Sequence, residues 1–122
     1  MAGETILLVD DTRLNRELAK DVLELAGYHV IEAEDGKEAL EFARADTPDM
    51  ILLDIELPDM SGFEVIGQLK GDPLTRDIAV VALTAHSKPD DETLFFNAGF
   101  AGYISKPINI KGFAQTVAEF MK

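Results

Sequence analysis

The stretch Ile6–Gly27, ILLVDDTRLNRELAKDVLELAG, holds the unit from which the rest of the chain is built. Its four leading apolar residues, Ile6 to Val9, show no polar alternation, the pattern of a strand covered on both faces, as in a parallel sheet. Asp10 and Asp11 end the run. Leu14, Leu18, Val22 and Leu25 then step by four, four and three, which predicts an apolar stripe on a crossover helix closed by Gly27 as its C′ residue.

The same unit recurs downstream. Further strands are predicted at Tyr28–Ile31, Met50–Leu53, Ile78–Leu83 and Gly102–Ile104. Asp35 and Glu38 form a capping pair for a second helix with Ala39, Leu40 and Ala43 inward, ended by Thr47-Pro48. Ser61-Gly62 opens a third with Phe63, Ile66 and Leu69 inward, closed at Gly71-Asp72-Pro73. Ser87, with Pro89 in the first turn, is placed to cap a fourth that ends before Gly99. Asn109 is placed to cap a fifth, in which Ile110, Phe113, Val117 and Phe120 share a face. Five strands alternating with five helices predict a single α/β domain over residues 1–122. Its expected architecture is a doubly wound five-stranded parallel sheet, (βα)5 and flavodoxin-like, with strand order 2-1-3-4-5.

Composition removes most function classes. The chain has 122 residues, 23 Asp plus Glu against 11 Lys plus Arg, a formal charge of −12 and no cysteine. Disulfide scaffolds, thiol nucleophiles and cysteine-ligated zinc are excluded, and His29 and His86 form no ligand cluster. The negative charge repels phosphate backbones and anionic lipid, which argues against direct nucleic-acid or membrane binding. The run Ile6–Val9 is too short for a secretory or membrane-spanning segment, so a cytoplasmic protein is expected.

In an open α/β sheet, ligands bind beyond the carboxyl ends of the strands where strand order reverses, here between strands 1 and 3. Strand 1 runs into Asp10-Asp11, strand 3 into Asp54, strand 4 into Thr84 and strand 5 into Lys106-Pro107. Alone, each has an ordinary explanation: a capping turn, a solvated loop acid, a strand-end hydroxyl, a turn lysine. Together they bring three carboxylates, a hydroxyl and an ammonium to one rim. Carboxylates at 4 Å repel by about 4 kcal/mol per pair at an effective dielectric of 20. Either one acid keeps a proton or a cation sits among them. Hard oxygen ligands favour Mg²⁺, with Mn²⁺ or Ca²⁺ as substitutes, held by Asp11, Asp54 and the Glu56 carbonyl. Replacing Asp10 or Asp11 with Asn is then expected to stabilise the metal-free protein while weakening Mg²⁺ binding. A carboxylate so placed can also attack a phosphoryl group, with Asp54 as nucleophile and Lys106, Thr84 and the metal on the equatorial oxygens.

These residues resemble the receiver domain of bacterial two-component response regulators, from Ile6 to the last helix. The match rests on ILLVDD with Asn15-Arg16, GYHVIEAEDGKEAL at Gly27–Leu40, PDMILLDIELPDMSG at Pro48–Gly62, VVALTA at Val80–Ala85 and GYISKPI at Gly102–Ile108. The resemblance implies that Asp54 accepts the phosphoryl group, Asp10 and Asp11 hold Mg²⁺, Thr84 is the switch hydroxyl, Tyr103 the switch aromatic and Lys106 the phosphate-pairing lysine. It further implies a cis Lys106-Pro107 bond and a phosphodonor that is a histidine kinase or histidine phosphotransfer protein. Such a domain regulates a downstream protein partner, through its helix 4–strand 5–helix 5 surface, and is not a classical enzyme. Both a stand-alone receiver and a piece of a larger protein fit this reading. Leu14, Asn15 and Leu18 lie where kinases dock on related receivers. In Leu94-Phe95-Phe96 one side chain must lean outward, and Phe95 is the candidate for docking the downstream partner. Glu56 and His86 occupy positions that vary among receivers and influence how long the phosphate survives.

Other readings fit less well. A phosphohydrolase of the haloacid dehalogenase type needs two aspartates separated by one residue after strand 1, where this chain has Asp10-Asp11-Thr12. A flavin module needs phosphate-binding donors where acids stand. Neither GxGxxG nor GxxxxGK[ST] is present.

Overall fold

The computed structural model describes residues 3–85, 91–106, 108 and 110–121. The apolar runs become strands β1 (Thr5–Val9), β2 (His29–Ala33), β3 (Met50–Asp54), β4 (Ala79–Thr84) and β5 (Gly102–Ser105). All pair in parallel, in the order β2-β1-β3-β4-β5, as expected from the alternation of elements. Between and after them lie α1 (Arg13–Leu25), α2 (Gly36–Asp46), α3 (Gly62–Gly71), α4 (Asp91–Ala98) and α5 (Ile110–Met121). The expected roles of Ser87, Pro89 and Asn109 at helix starts fall outside the described residues.

The unbroken apolar runs are explained by two cores. Successive strand side chains point to opposite faces. Leu7, Val9, Ile51 and Leu53 face α2, α3 and α4, whereas Ile6, Leu8, Met50 and Leu52 face α1 and α5. Each such buried side chain contributes about 1.5–3 kcal/mol. On α2 the expected Ala39, Leu40 and Ala43 are buried, and on α3 Ile66 and Leu69 are buried while Phe63 is partly covered.

Helix α1 departs from its reading. An apolar stripe is ordinarily a helix's packed face, and Val22 does pack against the core, yet Leu14 is 75% and Leu25 90% exposed, and Leu18 also reaches solvent. The packed face is Arg16, Ala19 and Leu23. Ala19 lets the helix lie close to the sheet. Arg16 is accommodated because three oxygens receive its guanidinium: the Asp10 carbonyl at 2.8 Å, Glu32 at 3.2 Å and Glu34 at 3.3 Å.

The start of α2 is held from two directions. Asp35 Oδ1 accepts from the Glu38 N–H at 2.8 Å, and Glu38 reaches back to the Glu34 N–H at 2.9 Å. Asp59, in the loop after β3, accepts the Gly36 and Lys37 N–H groups at 2.8 and 3.0 Å. Met60 covers Gly36 so closely that a Cβ there would lie 2.4 Å from Met60 Cγ. The hydrogen bond from Gly36, helped by that from Lys37, holds the Asp59 carboxyl below its usual pKa. A depressed folded-state pKa contributes stability above the unfolded value and loses it as pH falls through the folded value. Asp59→Ala is therefore expected to melt about 4 °C lower at pH 7, with the gap closing below about pH 4. Circular-dichroism melts across pH check this.

Candidate functional site

Strand register brings the polar residues to one level. Val9 pairs with Leu53, Asp54 with Leu83 and Thr84 with Ser105, so β1, β3, β4 and β5 end together at the carboxyl rim. The Asp10 N–H continues the sheet to the Ala33 carbonyl at 3.1 Å, and the Lys106 N–H to the Thr84 carbonyl at 2.8 Å. Asp54 and Thr84 prove to be the last residues of their strands, one position beyond the predicted ends.

Asp10, Asp11 and Asp54 each offer a carboxylate oxygen within 4.8 Å of the others. Asp10 and Asp54 are 1% and 4% exposed, while Asp11 faces solvent. Each buried acid is oriented by a main-chain donor. The Thr12 N–H reaches Asp10 Oδ1 at 2.9 Å, and the Glu56 N–H reaches Asp54 Oδ1 at 3.0 Å. Their second oxygens meet Lys106, whose Nζ lies 2.7 Å from Asp54 Oδ2 and 3.2 Å from Asp10 Oδ2. The repulsion inferred from sequence is thus offset in part by the chain's own ammonium.

That balance sets the titration of the site. Burial raises the pKa of Asp54, and Asp10 adds to the rise, while Lys106 and the Glu56 N–H oppose it without cancelling it. For Lys106 burial acts downward, but the hydrogen bond and charge of Asp54, joined by Asp10, outweigh it and its pKa is raised. For Asp10 the geometry argues against the expected stabilisation by Asn. Its carboxylate already has two partners, and an Asn amide nitrogen in place of Oδ2 would face the ammonium, so Asn at this position removes a favourable pair. For Asp11, which faces solvent beside the cluster, Asn is still expected to stabilise the metal-free protein.

The residues fit a hard divalent cation. A cavity of about 220 Å³, lined by Asp11, Thr12, Asp54, Glu56, Ala85 and Lys106, lies open beside the three carboxylates, offering only oxygen ligands and room for water. Gly62 shapes the adjoining turn, where its N–H donates to the Ile55 carbonyl at 2.7 Å and a Cβ would lie 2.9 Å from the Asp54 carbonyl. Thr84 is buried at the end of β4. The expected cis bond at Pro107 and the influence of His86 fall outside the described residues.

Tyr103 is partly covered, its ring 5.5 Å from that of Phe95. Phe95 itself corrects the sequence reading: it is 4% exposed and cannot present a docking surface. It stacks on Phe63 at 5.7 Å and meets Phe100 edge-on at the same separation. The aromatic box between α3, α4 and β5 draws the middle residue of Leu94-Phe95-Phe96 inward, leaving Phe96 72% exposed and Leu94 exposed beside it. Phe95→Ala is expected to cost about 3 kcal/mol or more of stability in urea titrations, instead of removing a surface contact. Leu14, Asn15 and Leu18 are exposed on α1. A groove of about 320 Å³ lined by Asn15, Leu18, Ala85, Lys106 and Ile108 runs from α1 to the acid cluster.

Two contributors escaped the sequence reading. Arg16 was visible only as half of the Asn15-Arg16 pair, and Asp59 only as a loop acid, since their partners lie on other elements.

A parallel sheet with acids and a lysine at its switch point is the architecture of a signalling receiver. The chain matches the response regulator receiver domain family over residues 6–118, and it belongs to that family. It is 41% identical over 118 residues to the polar-differentiation response regulator DivK of Brucella anthropi, covering 97% of this chain and 96% of that protein. The corresponding protein of Brucella ovis matches equally. Among solved structures it is similar to the chemotaxis response regulator CheY4 of Vibrio cholerae, with a TM-score of 0.90, 30% identity and 98% of both chains covered. It also resembles the signal receiver domain of a signal transduction histidine kinase from Syntrophus aciditrophicus, with a TM-score of 0.85, 33% identity and coverage of 98% and 90%. Among the described residues no helix is long and apolar enough to cross a membrane.

Proposed function

We propose that this domain is a phosphorylation switch in which Asp54 takes a phosphoryl group from a phosphohistidine on a histidine kinase or histidine phosphotransfer protein. The observation that carries the reading is the Lys106 ammonium 2.7 Å from Asp54, with the Asp10 and Asp11 carboxylates beside it at the switch point of the sheet. In the transfer a carboxylate oxygen of Asp54 forms the new P–O bond, the donor's P–N bond breaks, and the imidazole leaves with the electron pair. Asp11, Asp54 and the Glu56 carbonyl, with Asp10 behind them, would hold Mg²⁺, which supplies charge neutralisation at the phosphoryl oxygens. Lys106 moves from the Asp54 carboxylate to a phosphoryl oxygen, and the Thr84 hydroxyl donates to another.

Drawing Thr84 toward the phosphate changes the space beside Tyr103, whose ring rests on Phe95 of α4. The phosphate then biases the α4–β5–α5 surface that a downstream protein reads. On α4, Phe96 and Leu94, not Phe95, are the large apolar side chains that reach solvent among the described residues. Asn15 and Leu18 line the groove leading to Lys106, a path by which a histidine donor approaches Asp54, and Leu14 is exposed on the same helix.

Incubation with acetyl phosphate and Mg²⁺ tests the reading by intact-protein mass spectrometry. One hydroxylamine-labile phosphoryl group, lost when EDTA replaces the metal, is expected. Turnover of many equivalents would place the chain with Mg²⁺-dependent phosphohydrolases, and no uptake would overturn the proposal.

A further inference from the structure

Arg16 is the one charged side chain on the packed face of α1, and its guanidinium spans two strand ends. Nη1 donates to the Asp10 carbonyl at 2.8 Å, Nε to Glu32 at 3.2 Å and Nη2 to Glu34 at 3.3 Å. Lys20 takes the other Glu32 oxygen at 3.3 Å. The remaining polar atoms of Asp10 are held elsewhere: its N–H by Ala33, Oδ1 by the Thr12 N–H and Oδ2 by Lys106. Its carbonyl is therefore the handle that sets the plane of the Asp10–Asp11 peptide. Because that unit is planar, turning the carbonyl turns the direction in which the chain enters Asp11. Asp11 faces solvent, so its aim toward the acid cluster depends on this peptide.

We infer that Arg16 is a positioning residue of the divalent-cation site: by gripping the Asp10 carbonyl and anchoring it to β2, it aims the Asp11 carboxylate at the shared cavity. The inference rests on the cation site of the proposed function. A planar guanidinium reaches three acceptors at the ends of two strands at once, which a lysine ammonium on its flexible stem does not reproduce. The sign of the effect separates positioning from charge. As a positive charge near a cation site, Arg16 would weaken metal binding by Coulomb repulsion, so a pure charge role makes its removal tighten binding. A positioning role makes its removal loosen binding.

Mn²⁺ titration followed by the loss of the free-ion EPR signal, with Mg²⁺ as competitor, decides between them. Arg16→Lys, which keeps the charge, and Arg16→Met, which removes it, are both expected to loosen Mn²⁺ about tenfold, the usual scale for residues that orient a ligand. Phe95→Ala, destabilised in the other core, is the control for a general loss of stability and is expected to bind within about twofold of wild type. Circular dichroism establishes that each protein is folded at the titration temperature, and the lysine variant carries the test if the methionine variant does not fold. Wild-type affinity or tighter binding in the folded Arg16 variants overturns this inference alone, as does equal loosening in Phe95→Ala. Absence of Mn²⁺ binding by the wild type instead overturns the cation site itself.

Discussion

Asp54→Asn is expected to take up no detectable phosphoryl group from acetyl phosphate and Mg²⁺, while keeping the wild-type fold. The substitution removes the nucleophilic carboxylate and, as at Asp10, sets an amide nitrogen opposite the Lys106 ammonium, which lies 2.7 Å from Oδ2. Lys106 retains Asp10 as a partner at 3.2 Å, and the Glu56 N–H can still find an amide oxygen. A second signature is thermodynamic. Burial gives Asp54 a folded-state pKa above its unfolded value. Such a group contributes stability that is present below the unfolded pKa and lost as pH rises through the folded pKa. The variant, which cannot titrate there, therefore compares most favourably with wild type at neutral pH, and its relative standing falls on acidification. Mass spectrometry and paired melts from pH 4 to about pH 8 read both effects. Phosphoryl uptake at the wild-type level would mean that another carboxylate is the acceptor.

Lys106→Ala has the next largest expected effect. Its ammonium meets two carboxylates that are almost fully buried, and removing it leaves them facing each other without a counter-ion. Deleting one partner of a buried pair costs about 3–5 kcal/mol; because Lys106 is partly exposed, about 2–3 kcal/mol is expected at pH 7. With the ammonium gone, the Asp54 pKa rises further. The deficit is accordingly widest at neutral pH and narrows as the pH falls and the carboxyl takes a proton. Saturating Mg²⁺ is expected to recover most of the loss, because a cation that binds only the folded state stabilises it. Melts with EDTA and with Mg²⁺ check this; a variant as stable as wild type in EDTA would show that the acids do not repel as inferred. Phosphoryl uptake is expected to slow strongly, since one phosphoryl oxygen loses its partner.

The departures from the sequence reading share a physical origin. Leu14, Leu18, Val22 and Leu25 form a regular apolar stripe of which only Val22 packs against the core, and periodicity cannot say which side of a helix meets the sheet. Arg16 occupies the packed side because the Asp10 carbonyl, Glu32 and Glu34 converge there, an arrangement that exists only once β1 and β2 are paired. Phe95 could not be told from its neighbours in a run of three apolar residues. Its place is decided by Phe63 and Phe100, which come from outside the helix. Asp59 reads as one more acid in a loop until the N-terminus of α2 is brought opposite it.

What the sequence determined by itself was the order of elements, the parallel sheet and the rim on which Asp10, Asp11, Asp54, Thr84 and Lys106 gather. Those properties follow from local rules: apolar runs of strand length, capping residues at helix starts, and a topology that sends every strand end to one edge. Tertiary structure alone decided which face of α1 and which phenylalanine of α4 turn inward, and how the acids share one ammonium. These are contests between side chains on different elements for the same space or the same charge, and their outcome depends on distances that no single segment encodes.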